Sequence, residues 1–194
     1  MDISSAQIKE LRDQTGISVM QCKKALEEAG GDMDKARIIL EKRRSEAAAK
    51  KSDRALAAGT VGVYVHNTNE VAAMVLLACE TDFVAKNEEF STLAREIAMH
   101  VAAQAPEFVS RDEVTDEALT KAKEVFADEI KDKPAEMQEK ILEGKLNAYF
   151  KDKILLEQPF IKDPETTIGE MVHGAVQKFG ENVSVVRIER LSVK

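Results

Sequence analysis

Residues 71–79 are apolar almost without interruption. The run is far shorter than the ~20 residues that cross a bilayer, so it reads as a buried strand. Just before it, residues 60–65 alternate, with Val61, Val63 and Val65 on one face, and His66, Asn67, Thr68 and Asn69 supply turn residues. Together the two runs predict a β-hairpin. Only one later stretch, residues 183–191, again reads as a strand; the periodicity elsewhere is helical. Two strands, then helices, then one strand predict an antiparallel sheet covered by helices on one face, an α+β architecture.

The first 54 residues read as a three-helix domain, and residues 55–194 as a second domain beginning near Ala58 and Gly59. Ser4 with Gln7 has capping-box spacing, as does Ser18 with Gln21. Gly16 and the pair Gly30 and Gly31 supply stops, and Asp32 can cap the third helix. That helix continues through Ala47, Ala48, Ala49, Lys50 and Lys51 as an expected helical arm or linker into the next domain. On the second helix, Cys22, Ala25, Leu26 and Ala29 follow i, i+3, i+4, i+7 and form the inward stripe. Met20 lies opposite with Lys24 and Glu27, either as a docking spot or as an incidental surface residue.

A helix over about 88–104 carries Phe90, Leu93, Ala94, Ile97 and Val101 inward, and Pro106 follows its end. Residues 115–151 are helical and highly charged, with Pro134 in the first turn of a second helix. They predict an inserted helical hairpin that projects from the core. Residues 154–160 read as a loop or short extended segment. Thr167 and Glu170 then cap a helix bearing Ile168, Met171, Val172, Ala175 and Phe179, closed by Gly180.

Residues 80–90 join the apolar strand to the following helix, a place where a rigid support presents polar groups and loop side chains. Phe83 is a large ring in that loop, beside Asp82. An exposed ring there would leave water only when a partner covered it. Asp82 can face the same partner or simply cap the helix; Phe83 separates the two readings, because a cap needs no adjacent ring.

The net charge of −7 is uneven: residues 1–58 hold 12 Lys/Arg against 10 Asp/Glu, leaving −9 for the remainder. So acidic a body argues against binding nucleic acid through phosphates. The basic run at Lys42, Arg43, Arg44, Lys50 and Lys51 reads as a solvated helix face. With Cys22 and Cys79 alone, no disulfide framework forms beyond one bond, and a cytoplasmic location is expected. There is no Gly-rich phosphate loop, HExxH or CxxC. His66 falls in a turn, His173 on the solvent side of its helix and His100 at the edge of a core stripe, none with metal-site spacing. No enzyme activity, cofactor or metal is expected.

Thr81-Asp82-Phe83-Val84-Ala85-Lys86-Asn87 resembles the signature of bacterial elongation factor Ts, the nucleotide exchange factor for elongation factor Tu. Leu11-Arg12-Asp13-Gln14-Thr15-Gly16, running on to Met20-Gln21-Cys22-Lys23-Lys24-Ala25-Leu26, is similar to that family's N-terminal signature. Phe179-Gly180-Glu181-Asn182-Val183 matches its C-terminal helix-to-strand joint. The three segments stand in the family's order and span nearly the whole chain. The resemblance implies that the N-terminal domain is UBA-like (ubiquitin-associated) and grips the nucleotide-binding domain of Tu through Arg12, Met20 and Lys23. It implies that Thr81, Asp82, Phe83 and Val84 dislodge Mg²⁺ from Tu, Phe83 as a wedge and Asp82 by disturbing polar contacts. Phe179 and Gly180 would form a third contact.

Three departures accompany the match. The loop reads Thr15-Gly16-Ile17-Ser18-Val19 where the family has a second Gly and a Met, and Gln21 replaces an acid. Longer family members also carry two versions of the core sheet, whereas this chain has one. Short members pair subunits, which implies a homodimer binding two Tu molecules, with His66 offered across to the neighbour's Tu. No membrane or direct nucleic-acid contact is implied. The rivals are a helical adaptor using the Met20 patch without Phe83, and a nucleic-acid-linked protein using residues 42–51.

Overall fold

The structure, a computed structural model, describes residues 3–131 and 134–193. Three helices come first: α1 (Ser5–Thr15), α2 (Val19–Glu28) and α3 (Met33–Ala49). They close on Leu11, Ile17, Cys22, Ala25, Leu26, Ala36 and Leu40, a hydrophobic cluster of their own. Most local signals act as read, although Ser18 and Gln21 form only half of the expected box, the Ser18 hydroxyl accepting from the Gln21 N–H without a return bond. Ser4 and Gln7 form a reciprocal capping box, Gly16 ends α1 at φ 68°, and the Asp32 carboxylate accepts from the N–H groups of Asp34 and Lys35. A left-handed residue at a helix end is cheap only without a Cβ.

The remaining elements are β1 (Ala58–Val65), β2 (Val71–Cys79), a single turn α4 (Asp82–Ala85), α5 (Glu88–Gln104), α6 (Asp116–Ile130), α7 (Ala135–Lys151), β3 (Pro159–Phe160), β4 (Asp163–Thr167), α8 (Ile168–Phe179) and β5 (Val183–Ser192). The main sheet has the order β1-β2-β5, antiparallel throughout, so β2 is its centre. That explains why residues 71–79 are nearly all apolar. On the inner face Ala73, Val75, Leu77, Cys79, Val183 and Val185 are buried beneath α5 and α8. β3 and β4 form a separate two-stranded ribbon.

Among the described residues, no helix covers the other face of the sheet. Val61 opposes Leu76, Val63 opposes Met74, and Leu191 continues the row beyond Ala72, all exposed except Ala72. Exposed apolar side chains gathered on one face in this way form a contiguous apolar patch.

Several expectations need correction. The α3 continuation is not merely an arm or linker, because it lies along α8. Its small alanines permit close approach: Ala48 is buried in the main core, and Lys51 Nζ donates to the Val176 carbonyl. Nor is the basic run there simply solvated. Arg44 is half-buried and donates to the Thr15 carbonyl, and Arg43 pairs with Glu28. His173 is half-buried rather than on the solvent side; burial, then the nearby Arg44 charge, push its pKa down. His100 is fully buried, with Nε2 2.8 Å from Gln158 Oε1, and burial likewise lowers its pKa. Pro134 is the N-cap of α7 and stands one residue outside its first turn.

Candidate partner-binding surface

Cys79 ends β2, and the chain turns at Glu80 into α4, whose N-cap is Thr81. The Thr81 hydroxyl accepts from the Val84 N–H, so the capping role weighed for Asp82 belongs to its neighbour. Val84 is buried in the main core and anchors the turn from below. Phe83 points the other way and is 82% exposed, the most exposed of the large apolar side chains among the described residues. One buried and one exposed residue in sequence is how a single turn of helix presents a ring on a fixed base.

Asp82 is also exposed. Its carboxylate takes a 2.7 Å bond from Lys86 one turn on, which holds the Asp82 pKa below the usual carboxylate range. Such an exposed i,i+4 pair is weak, so a partner can break it at small cost. Asn87 then caps α5 through the Glu89 N–H.

Behind the turn lies a carboxylate network that links distant parts of the chain. Glu181, just past the αL cap Gly180, accepts from the N–H groups of Glu80 at 3.1 Å and Thr81 at 3.0 Å, and from the Thr81 hydroxyl at 2.6 Å. Glu80 in turn accepts from the Asn182 N–H and from Arg54, and these bonds lower its pKa, the Asn182 bond most. The Asn182 side chain donates to the carbonyls of Ser52 and Arg54. The Phe83 turn, the α8–β5 joint and the linker after α3 are therefore tied at one point.

The other expected site residues are spread. Met20 is 69% exposed on α2, and Lys23 beside it is exposed with a loose ion pair to Glu27. Arg12 lines a groove of about 660 Å³ between the α1–α2 loop and α8, which Phe179 also lines. The two are thus brought together. Gln21, one of the departures noted above, bridges the sides of this groove by accepting from Gln177 at 2.6 Å. Ile17, another, is buried in the three-helix cluster.

Phe179 is half-buried, edge-on to Phe90 with ring centroids 5.7 Å apart, while Gly180 is exposed. Phe179 is therefore a core ring on one side and a surface on the other. His66 is not near Phe83. It follows Val65, which pairs with Ala72 at the opposite end of the hairpin from Ala58 and Cys79. At ~3.3 Å per residue the hairpin puts roughly 23 Å between them. His66 Nδ1 lies 3.1 Å from the Tyr64 hydroxyl.

Glu181 and Lys86 stand within the matched motifs without a role legible there, and nothing in the sequence singles out Gln177. An acid directly after a helix-closing Gly was the available signal for Glu181; its partners lie about a hundred positions away. Among the described residues, no cluster of His, Cys, Asp and Glu could hold a metal ion, and no helix is long and apolar enough to cross a membrane. The arrangement presents exposed groups on rigid bases and fits recognition of a macromolecule.

Comparison with known proteins points the same way. The family described as Elongation factor TS matches residues 33–193. Elongation factor Ts of Thermosipho melanesiensis is 47% identical over 193 residues, covering 98% of each chain. The protein of that name from Fervidobacterium nodosum is 44% identical over 195 residues, covering 100% of this chain and 99% of its own. The one from Thermodesulfovibrio yellowstonii is 45% identical over 194 residues, covering 100% and 97%. These relatives extend the likeness through the first two helices, which the family match leaves out. The chain belongs to the elongation factor Ts family.

Proposed function

We propose that the chain is the guanine nucleotide exchange factor for elongation factor Tu. It docks on Tu·GDP, disturbs the Mg²⁺ and phosphate site, and promotes GDP release so that GTP can bind. The observation that carries this reading is the Phe83 ring, exposed on a capped turn whose next residue, Val84, is anchored in the core. Tu holds GDP through a phosphate cradle and Mg²⁺, so the off-rate depends on how well that cation and its loops stay ordered. Phe83 enters beside the Mg²⁺ region as a wedge. Asp82 leaves Lys86 and competes for the polar contacts that keep the cation in place, while Thr81 and Val84 fix the base.

Grip is distributed. Arg12, Met20 and Lys23 of the UBA-like N-terminal module hold the nucleotide-binding domain of Tu, and Phe179 with Gly180 presses on a third area. Separate patches suit the thermodynamics. If the factor weakens GDP binding by some ratio, GDP weakens the factor's binding by the same ratio. The factor thus speeds both directions and leaves the final GDP/GTP ratio to the cell, here the cytoplasm. The chain itself performs no bond chemistry, and we assign it no nucleic-acid contact; Arg43, Arg44 and Lys51 of the basic run are engaged within the protein. The first test is release of fluorescent GDP from Tu of the same organism. A large acceleration is expected, and an unchanged off-rate would sink the exchange reading in favour of an adaptor.

We also propose that two chains pair through the uncovered sheet face and bind two Tu molecules. The support is the apolar row of Val61, Val63, Met74, Leu76 and Leu191. The pairing would carry His66 towards the neighbour's Tu. By sedimentation the wild type should run at twice the 21.5 kDa chain mass, and Met74→Lys at the chain mass. A wild type that sediments as one chain at micromolar concentration rejects the dimer.

A further inference from the structure

We infer that Glu181 is the positioning residue of the Phe83 turn: its carboxylate holds α4 ready for insertion before any partner arrives. The inference rests on the exchange reading above and goes beyond it, because Glu181 need touch nothing outside its own chain to act. Its two oxygens divide the work. Oε2 accepts both successive backbone N–H groups of Glu80 and Thr81, and Oε1 accepts the Thr81 hydroxyl proton. With its proton committed to Glu181, the Thr81 oxygen turns a lone pair to the Val84 N–H. An N-cap hydroxyl free to rotate would lose part of that time to water. The carboxylate therefore orients the cap, and the cap sets the turn that carries Phe83.

A one-turn helix cannot hold its own shape, since nucleation fixes several dihedrals for a single hydrogen bond. Val84 anchors α4 on one side, and Glu181 is the side chain from the α8–β5 joint that bonds both backbone N–H groups leading into it. Rigidity there matters because an insertion element that must be ordered on binding spends part of its binding energy on ordering. Glu181 itself is steadied from the next residue, where the Asn182 N–H is bonded to Glu80 and its side chain to the linker.

The test combines amide hydrogen exchange on the free protein with fluorescent GDP release from Tu. It uses Glu181→Ala, Glu181→Gln, Phe83→Ala and the double variant Glu181→Ala/Phe83→Ala. Glu181→Ala should speed exchange of the Glu80 and Thr81 amides at least tenfold. It should also lower the acceleration of GDP release by about tenfold, the factor that ~1.4 kcal/mol represents. Glu181→Gln, whose amide oxygen can still accept both N–H groups but whose NH2 cannot accept the Thr81 hydroxyl proton, should fall between wild type and Glu181→Ala.

In the Phe83→Ala background the Glu181 change should cost little more, because its effect runs through the ring. The inference is overturned if Glu181→Ala leaves those amides protected, if it slows exchange equally with and without Phe83, or if Gln is as damaging as Ala. A wild type that fails to accelerate GDP release brings down the exchange reading and this inference with it. A wild type that accelerates beside an equally fast Glu181→Ala brings down this inference alone. Should Glu181→Ala not fold, Glu181→Asp replaces it with the same expectations, as it keeps the charge but falls a methylene short of the Thr81 N–H.

Discussion

A Phe83→Ala chain will accelerate GDP release from Tu about 30- to 100-fold less than wild type, with no loss of thermal stability. The two halves of this result come from one fact. The ring is 82% exposed in the free protein, so the fold draws almost nothing from it, and removing it opens no cavity. Its whole apolar area is available to a partner instead. Covering a phenylalanine ring is worth about 2–2.8 kcal/mol, which at 1.4 kcal/mol per decade gives the stated range. The loss should fall on the rate of GDP release more than on the affinity for nucleotide-free Tu, because the Met20 and Phe179 regions are untouched. The measurement is release of fluorescent GDP at saturating factor, alongside a thermal melt. If the variant exchanges as fast as wild type at saturation, the wedge is wrong and the opening force must come from Asp82 or from the other patches. If instead the melt drops by many degrees, Phe83 is a structural residue and its exposure has been misread.

Much of the fold was legible because its signals are local. A capping box spans three residues, and both Ser4 with Gln7 and Thr167 with Glu170 form as their spacing implies. The central position of β2 follows from its lack of alternation, and the uncovered face of the sheet from the alternation of β1. What stayed hidden depends on partners distant in sequence. His100 reads as a residue at the edge of a helix stripe until Gln158, from beyond α7, meets it in the core. His173 and Arg44 looked solvated because nothing local tells a helix that another will lie along it. β4 escaped notice because Asp163, Pro164, Glu165, Thr166 and Thr167 have no apolar alternation, and their pairing with Pro159 and Phe160 makes only a short ribbon.

The site divides in the same way. Phe83 could be singled out because an exposed ring in a strand-to-helix loop conflicts with burial, and such local conflicts mark function. Val84 as its anchor and Thr81 as its cap are also near neighbours. Glu181 is not: it meets Thr81 only once β5 has paired with β2. The groove shared by Arg12 and Phe179 has the same origin, since it exists only when α3 has docked along α8. A partner surface assembled from separate segments depends on the core that sets their spacing.

That dependence makes Gly62→Ala the most damaging single methyl expected in the sheet. Gly62 lies in β1 where α5 crosses it, and a Cβ there would stand 2.2 Å from both the carbonyl carbon and oxygen of Ala94 and 2.7 Å from the Arg95 nitrogen. All three are backbone atoms, so no side chain can rotate out of the way. The helix itself must lift from the strand, and Phe90, Ala94, Ile97, Ala98 and Val101 would lose their seat on Val75 and Leu77 together. Overpacking of this kind costs about 3 kcal/mol or more, which for a chain of this size lowers Tm by roughly 10 °C. Gly144→Ala is the matched control. Gly144 is an exposed residue of α7 with open space around its added Cβ, so the same methyl should stabilise by about 0.5–1 kcal/mol through helix propensity. Thermal and urea melts of the two variants decide the matter. Equal stability of Gly62→Ala and wild type would mean that α5 does not sit on β1 as described. A large loss with a Gly144→Ala gain would show that Gly62 is held by the approach of a helix backbone. The lift should also reach the site: α5 begins at Glu88, two residues past the Lys86 that ends the Phe83 turn. Gly62→Ala should therefore impair exchange even at temperatures where it remains folded, with Phe83 intact but its base displaced.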